Sequence, residues 1–381
     1  MHKIFKLLTS MLIFISILLN FSTSTHSQGE AGGAAPFLYF GVGSRPLAMG
    51  GAYIAVSDDA TSAYWNPAGM IHLRQSELQT MHTEMWAEVK YDYVGYVHIL
   101  GARGKGQGAG KENPVSGIKH PASKALGLSF IRLDAGTQEA RDKFKNITGY
   151  FSCNDTAVIL SYAQRLNTRY RIQDTGLSIG ANLKYVRQKI AEESGKGYDL
   201  DIGFLYKPLL GTRDKGQGAR KNEPLTLTLV FQNILQSKID WSTGAKDPLP
   251  FIFKVGTAYK LTEDRLILAF DTAKIQHEPS WKFHFGGEYK VIGAGDRIQD
   301  TGDRIQDTGD KIQDTGYRIQ DTSKEQSSAK DKASVSIRAG SDDKNFTAGI
   351  GVGYENYSFD YAYVTHERLG NKHRISVGMR F

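Results

Sequence analysis

The sequence predicts an all-β fold: a 14-stranded antiparallel transmembrane β-barrel with an N-terminal segment folded inside its lumen. Three observations lead to this prediction: an export signal, long segments that alternate apolar and polar residues, and a last strand that ends on an aromatic residue. The composition agrees, because 19 Tyr, 18 Phe and 41 Gly accompany a mean hydropathy of only −0.37. Strands that are apolar on one face alone give this combination.

The first 27 residues have the layout of a secretory signal peptide. Lys3 and Lys6 precede an apolar run at 7–19, and small and polar residues follow as far as Ser27. The run is shorter than the roughly 20 residues that a spanning helix needs. Residues 1–27 are therefore predicted to be cleaved, which leaves a secreted, periplasmic or barrel-forming protein.

Alternation is clearest between Trp281 and Val291. One predicted face carries Trp281, Phe283, Phe285, Tyr289 and Val291. The other carries Lys282, His284, Glu288 and Lys290, which we expect to face a wet lumen. The same pattern predicts strands near 75–85, 90–100, 124–134, 156–167, 176–190, 197–208, 224–235, 250–261, 264–275, 280–292, 333–341, 345–355, 357–366 and 372–381. Most have the length that a tilted strand needs to cross a bilayer, whereas a soluble sandwich has mostly shorter strands.

The last predicted strand stops on a terminal aromatic residue. Ile375, Val377, Met379 and Phe381 share one face, a pattern that resembles the assembly signal of outer-membrane barrels. A closed barrel requires this strand to pair with the first, because an open edge in lipid leaves backbone groups without partners. An ordinary amphipathic terminal strand is the alternative interpretation.

The sequence divides into a signal peptide at 1–27, a plug (or hatch) at 28–74 and a barrel at 75–381. Two polar repeats, Arg-Ile-Gln-Asp-Thr and Lys-Gly-Gln-Gly-Ala, interrupt the barrel as solvated insertions. The insertions are predicted at about 102–123, 169–176, 211–223 and 294–332. All follow even-numbered strands, which places them in periplasmic turns when both termini face the periplasm. The longer connections of the opposite parity are predicted at the outer surface, at 135–155, 236–249 and 367–371.

Motifs are densest between residues 36 and 70. This block contains Gly41-Val42-Gly43-Ser44-Arg45, Met49-Gly50-Gly51-Ala52, and Asp58-Asp59-Ala60 followed by Tyr64-Trp65-Asn66-Pro67-Ala68-Gly69. It resembles the PorV/PorQ family of outer-membrane proteins, which is itself similar to the FadL-type fatty-acid transporters. The chain departs from the family pattern at Ser44, Pro46 and Ser57, where alanine is more usual.

The resemblance implies a 14-stranded barrel with a luminal plug in the bacterial outer membrane. The residues that it marks as plug or gating elements are Gly41, Gly43, Arg45, Asn66, Pro67, Ala68 and Gly69. It implies a non-enzymatic protein that binds or shuttles type IX secretion cargo at the cell surface. The alternative is FadL-like transport of hydrophobic small molecules. The expected partners are outer-membrane lipid, the barrel assembly machinery, and cargo C-terminal domains or other type IX components.

The sequence predicts no catalytic residues, metal site or cofactor. It has no HExxH, no Gly-x-Ser-x-Gly elbow and no credible phosphate loop. Its single cysteine, Cys153, cannot form an internal disulfide. Asp58 and Asp59 are expected to face opposite ways along a strand, which argues against a shared site. The net charge of +7 lies largely in loop-like stretches, so no nucleic-acid partner is predicted.

Overall fold

The computed structural model describes eight stretches of the chain. They are residues 34–100, 123–167, 174–208, 224–261, 265–292, 333–343, 345–365 and 370–381. The signal segment, the first residues of the plug and most of the predicted insertions lie outside them. Within these stretches, no helix is long and apolar enough to cross a membrane.

The described residues form 16 strands and five short helical segments. Strands β1 to β16, in chain order, are Glu77–Glu84, Lys90–Leu100, Lys124–Arg141, Ile147–Asn167, Asp174–Ile190, Glu193–Tyr206, Leu225–Gln232, Lys238–Trp241, Lys246–Pro248, Ile252–Leu261, Leu266–Ile275, Trp281–Ile292, Ala333–Asp342, Asn345–Tyr354, Tyr357–Val364 and Lys372–Arg380. The α-helical segments are Ser44–Ala48 and Ser62–Trp65, and the 3₁₀ segments are Pro36–Tyr39, Pro67–His72 and Trp86–Glu88.

Fourteen strands close into one antiparallel barrel, so the predicted fold class is confirmed. Strands β1–β7 and β10–β16 pair with their neighbours in the ring, and β16 pairs with β1 in the register Leu78↔Met379. Strands β8 and β9 form a small hairpin that attaches to β6 through Gly195↔Trp241. Closure leaves no open edge in the ring, which satisfies the backbone where water is absent.

Side chains alternate between the lumen and the outer face as the sequence predicts. On β12, Phe283 and Phe285 are 45% and 54% exposed, whereas Glu288 is 1% exposed. Apolar side chains also cover the outward face of the last strand, where Ile375 and Val377 are exposed. This outer apolar belt is the surface that a barrel presents to lipid.

The terminal aromatic residue seals the junction between the first and last strands. The backbone N–H of Phe381 donates to the carbonyl of Ser76 at 2.9 Å, and its ring meets Tyr96 edge-on at 6.3 Å. Both ends of the barrel chain therefore lie at one rim, named here the termini rim; the opposite one is the hairpin rim. The ends of β2, β4, β6 and β12, which precede the predicted insertions, lie at the termini rim. The role of Phe381 in assembly stays a prediction.

Strands β3 and β4 are longer than the sequence predicts. They continue as a hairpin to Arg141 and Ile147, past a register shift between Asp134 and Thr137. The adjoining strand β2 does not extend as far towards this rim. Its first residue pairs with Asp134, and β3 continues beyond that point. The hairpin thus projects from its rim, and the polar composition of 135–155, predicted as a loop, does not reveal this.

Candidate functional site

The plug occupies the barrel lumen. From Ala34 to Leu73 nearly every side chain is buried, and Phe37, Met49 and Tyr53 are completely so. Its helical segments have at most six residues, and small side chains separate them. Short turns rich in glycine and alanine let a folded segment fit against a curved wall on all sides.

Gly41 and Gly43 set the path of the plug into its first α-helical turn. Both adopt left-handed backbone conformations, with φ of 74° and 81°. A Cβ atom on Gly43 would lie 2.6 Å from Cγ2 of Thr61, and one on Gly41 would lie 2.8 Å from Cδ2 of Leu47. The conformation and the close approach both require glycine at these two motif positions.

Arg45 is the centre of a buried charged network. Its Nη1 donates to Asp58 at 2.6 Å, to Asp59 at 3.2 Å and to the Tyr53 hydroxyl at 2.9 Å. Its Nε and Nη2 form a fork on both carboxylate oxygens of Glu288, at 2.7 and 3.0 Å. Because Glu288 belongs to β12, this bidentate pair fastens the plug to the wall.

The network continues along the wall to a second arginine. Arg338 on β13 donates to Glu288 and to Asp360 on β15, both at 2.7 Å. Burial alone would raise the pKa of Asp58, but the Arg45 guanidinium holds that pKa well below its usual range. Asp58 is therefore ionised at neutral pH, and the plug carries a fixed acid–base cluster.

The expectation that Asp58 and Asp59 face opposite ways was wrong. The two residues lie in irregular backbone with a bend at Asp59 rather than in a strand, so their side chains are free to converge, and both reach Arg45. Asp59 also accepts hydrogen bonds from the backbone N–H of Thr61 at 2.9 Å and from the Tyr53 hydroxyl. The pair neutralises an arginine, and the described residues contain no group of three or more His, Cys, Asp or Glu suited to a metal ion.

The Asn-Pro-Ala-Gly stretch forms the turn into the Pro67–His72 segment. Asn66 accepts from the N–H of Ala68 at 3.1 Å and donates to the Ile54 carbonyl at 2.9 Å and to Thr228 of β7 at 2.7 Å. One amide thus caps a helical turn, joins two parts of the plug and contacts the wall. At Gly69 a Cβ atom would overlap the backbone of Ser57, so the last motif residue is a point of close packing.

Glycines on the inner face of the wall mark where the plug touches it. A Cβ atom on Gly286 or Gly340 would collide with the backbone of Met49 and Gly50. A Cβ atom on Gly180 would collide with the backbone of Pro67. Sequence analysis missed these contacts, although an inward-facing glycine within an alternating strand was an available signal.

Hydrogen bonds anchor the first α-helical turn to the last strand. The N–H and hydroxyl of Ser44 both bond the Ser376 hydroxyl at 2.8 Å. Arg374 donates to the carbonyls of Phe40 and Gly41 at 3.1 and 3.3 Å. Ser44 is one of the departures from the family pattern, and alanine would keep the N–H bond but lose the hydroxyl bond.

The lumen wall is not uniform along or around the barrel. The charged network and Asn66 lie nearer the termini rim. Nearer the hairpin rim, strands β1 to β5 contribute an apolar wall of Met81, Tyr91, Ile131, Leu133, Ala157, Ile159 and Val186. Polar groups also lie in this half, among them the buried Lys184–Asp201 ion pair at 2.6 Å and Arg374. The plug covers this apolar wall with Phe37, Leu38 and Phe40, and the Phe40 ring meets Tyr91 edge-on at 5.8 Å.

The family model that matches the chain is the uncharacterised protein family UPF0164. The match covers residues 19–228, which is more than half of the chain and includes the whole plug. The chain belongs to this family. Among proteins of curated function, none matches the sequence.

Solved outer-membrane barrels resemble the structure at low sequence identity. A FadL homologue of Pseudomonas aeruginosa is 11% identical, with a TM-score of 0.45 over 87% of this chain and 96% of that one. A TodX monoaromatic hydrocarbon channel variant is 10% identical, with a TM-score of 0.49 over 89% of this chain and 99% of that one. Omp33 of Acinetobacter baumannii is 9% identical, with a TM-score of 0.36 over 81% and 98%.

The chain's own features place it in the bacterial outer membrane. It closes 14 strands from a single chain and presents an apolar outer belt to its surroundings. Only closed barrels satisfy the backbone of strands in lipid, and single-chain barrels with even strand numbers are typical of this membrane. The prediction of an outer-membrane barrel family is thereby confirmed, whereas membership of PorV/PorQ itself stays a prediction.

Proposed function

We propose that this protein is a gated outer-membrane passage for small hydrophobic molecules, and that the plug is its closed gate. The apolar wall beneath Phe37, Leu38 and Phe40 supports this proposal. A lumen that conducts water and polar solutes is lined by polar side chains, because its surface stays hydrated. The apolar wall on β1 to β5 would be costly to expose to water but favourable to cover with an apolar ligand.

The gate in this proposal has a fixed part and an exchangeable part. The charged network fixes the segment around Arg45. The side chains of Phe37, Leu38 and Phe40 make apolar contacts, while Tyr91, Tyr64 and Arg374 donate hydrogen bonds to the three backbone carbonyls. A hydrophobic solute that enters from the hairpin rim can replace those apolar contacts, since they are non-directional. Arg45, Asn66 and the motif glycines then act as the frame of the gate, which is the gating role that the resemblance assigns to them.

A binding measurement tests the apolar wall. A brominated fatty acid quenches tryptophan fluorescence when it lies nearby, and Trp86 packs against the apolar cluster. We expect quenching in the wild type and at least about tenfold weaker binding in Ile131→Asn, which places an amide on the apolar wall. Phe130→Asn is the matched control, because the adjacent side chain faces outward and is 41% exposed. Equal binding by both variants would contradict the proposal.

A reversible disulfide tests whether the plug must move. The hydroxyls of Ser44 and Ser376 lie 2.8 Å apart, so Ser44→Cys with Ser376→Cys, in a Cys153→Ser background, joins the plug to the wall. Uptake of a radiolabelled fatty acid is then measured in cells that lack other routes for it. If the whole plug moves, uptake stops on oxidation and returns on reduction. If uptake is unchanged on oxidation, the part of the plug that moves during transport is limited to the residues before Ser44.

A second candidate function is type IX secretion, in which the protein binds cargo at the cell surface. The plug motif and the projecting β3–β4 hairpin favour it, because Phe144 and Tyr150 on that hairpin are 72% and 66% exposed. Exposed aromatics are typical anchors of protein interfaces. Retention of a cargo C-terminal domain by the wild type, and its loss in Phe144→Ala with Tyr150→Ala, would favour this function over transport. The non-enzymatic character of the protein and its type IX secretion partners remain predictions.

A further inference from the structure

Three cations lie on the outer face of β5 and β6 at the hairpin rim. Arg187 and Lys196 face each other directly across the ladder, and Lys189 follows two residues later on the same face of β5. All three side chains are exposed, whereas the intervening Gln188 is buried in the lumen. Like charges directly opposite each other on a sheet are destabilising, so this arrangement calls for a compensating anion.

The described residues do not supply that anion. None of the three cations forms an ion pair or a side-chain hydrogen bond among them. Asp240 of β8 pairs with Lys196 in the register, but its carboxylate is bonded to Lys246 at 3.2 Å. In the described parts of the chain, the outer faces of β5 and β6 at this rim therefore carry three cations without a bonded carboxylate, with Glu192 and Glu193 at the turn that joins the two strands.

Two other outward-facing cations at this rim have bonded partners. Arg132 of β3 is bonded to Asp134 at 2.6 Å. Lys274 of β11 donates to the carbonyls of Glu278 and Pro279 at 2.7 and 2.9 Å. The β5–β6 cluster differs from these two positions, because three cations lie together on it without a bonded partner among the described residues.

The cluster lies at the edge of the apolar belt. Directly below it, the rings of Tyr185 and Tyr198 are 5.0 Å apart on the outer face. The outward side chains of β5 from Tyr185 down to Leu177 are all apolar or aromatic. These eight steps span about 27 Å along the strand, or about 21 Å of membrane at a tilt near 40°, close to the hydrocarbon thickness that barrels span. Tyrosines at that edge form the aromatic girdle, and the cations above them lie at headgroup height.

We propose that Arg187, Lys189 and Lys196 form a binding site for the phosphate of an anionic lipid headgroup in the outer leaflet. The apolar belt below binds the acyl chains, and the two tyrosines border the glycerol region. Guanidinium and ammonium groups together suit a phosphate, which accepts several charge-assisted hydrogen bonds. The site is independent of the plug and of what the lumen carries.

The test compares lipid selectivity in vesicles of phosphatidylcholine with and without phosphatidylglycerol. Native mass spectrometry measures how much lipid the protein retains. The midpoint of unfolding measures the effect of that lipid on stability. We expect the wild type to retain phosphatidylglycerol selectively and its midpoint to rise with that lipid. Because each basic residue near an anionic surface contributes about fivefold, Arg187→Gln with Lys196→Gln should lower the relative association about 25-fold. Equal retention by this variant and the wild type overturns the proposal.

Arg187→Glu separates loss of the site from loss of folding. It places a carboxylate opposite Lys196, so in phosphatidylcholine the variant should be at least as stable as the wild type, yet gain nothing from phosphatidylglycerol. Lys143→Glu is the control, since it makes the same charge change on the projecting hairpin and should keep the lipid response. An Arg187→Glu variant that still responds to phosphatidylglycerol, or inorganic phosphate that raises the wild-type midpoint equally, overturns the proposal.

Discussion

The two halves of the lumen hold the side chains of the plug by different means. Towards the termini rim, Arg45 binds three carboxylates with directional, charge-assisted hydrogen bonds. Towards the hairpin rim, the side chains of Phe37 and Leu38 pack on an apolar wall, and only their backbone carbonyls accept hydrogen bonds, from Tyr91 and Tyr64. Charged contacts in a buried site tolerate little displacement, because each separated charge loses its partner without gaining water. Apolar contacts can be exchanged for any apolar molecule of similar size. One half therefore suits a fixed anchor, and the other suits a replaceable cover.

Removing Arg45 is expected to have the largest effect on this comparison. Arg45→Ala leaves Asp58, Asp59 and Glu288 without that arginine in a buried site, which should destabilise the protein by about 3–5 kcal/mol. Denaturant unfolding followed by tryptophan fluorescence measures this, since Trp65 belongs to the plug. Arg132→Ala is the matched control, because its exposed pair with Asp134 contributes about 0–1 kcal/mol. Similar losses in both variants would mean that the network does not anchor the plug.

Phe37→Ala tests the apolar contacts of the plug in the half of the lumen towards the hairpin rim. Phe37 is completely buried, so its truncation should cost about 3 kcal/mol by the loss of buried area and the cavity left behind. Unlike Arg45→Ala, it leaves no buried charge, and a hydrophobic ligand can fill the space. We therefore expect a saturating fatty acid to restore part of the lost stability in Phe37→Ala but none in Arg45→Ala. Equal restoration in both variants would remove the distinction between the halves.

Gly286→Ala tests the fit between the plug and the wall, with a smaller expected effect. The added methyl group meets the backbone of Met49, which cannot rotate away, so we expect a loss of about 1–3 kcal/mol. Gly149→Ala is the control, because a Cβ atom there meets nothing within 4 Å. Thermal unfolding should separate the two variants clearly. A neutral Gly286→Ala would indicate that the plug lies more loosely against β12 than this packing implies.

The sequence predicted the strands of the barrel better than the contacts between the plug and the lumen wall. Strand positions follow from a period of two, which residues such as Phe283 and Glu288 display locally. The partners of Arg45 could not be predicted in this way, because Glu288 lies 243 residues away and only barrel closure brings the two together. The error at Asp58 and Asp59 has a related cause: a strand was assumed where the chain turns. The apolar wall was missed because alternation predicts a lumen face but not the plug residues that cover it.

His72 allows a test of how the stability of the plug depends on pH. Burial, with Lys207 and Arg165 nearby, holds the pKa of His72 well below its usual range, and its Nε2 has no hydrogen-bond partner among the described residues. The folded protein keeps this imidazole neutral, whereas the unfolded chain protonates it below about pH 6.5. Stability should therefore fall as the pH drops below about 6.5, by up to about 1.4 kcal/mol per pH unit from this residue.

The Arg45 network should not contribute to that fall. Because the pKa of Asp58 is depressed in the folded state, its stabilising contribution is present above about pH 4 and is lost only in stronger acid. His72→Leu should therefore flatten the unfolding midpoint between about pH 6.5 and 4.5 relative to the wild type, whereas Asp58→Asn should lower the midpoint by a constant amount across the same range. A pH dependence in His72→Leu as steep as that of the wild type would show that other groups cause it. A dependence abolished by Asp58→Asn would transfer the acid sensitivity from His72 to the Arg45 network.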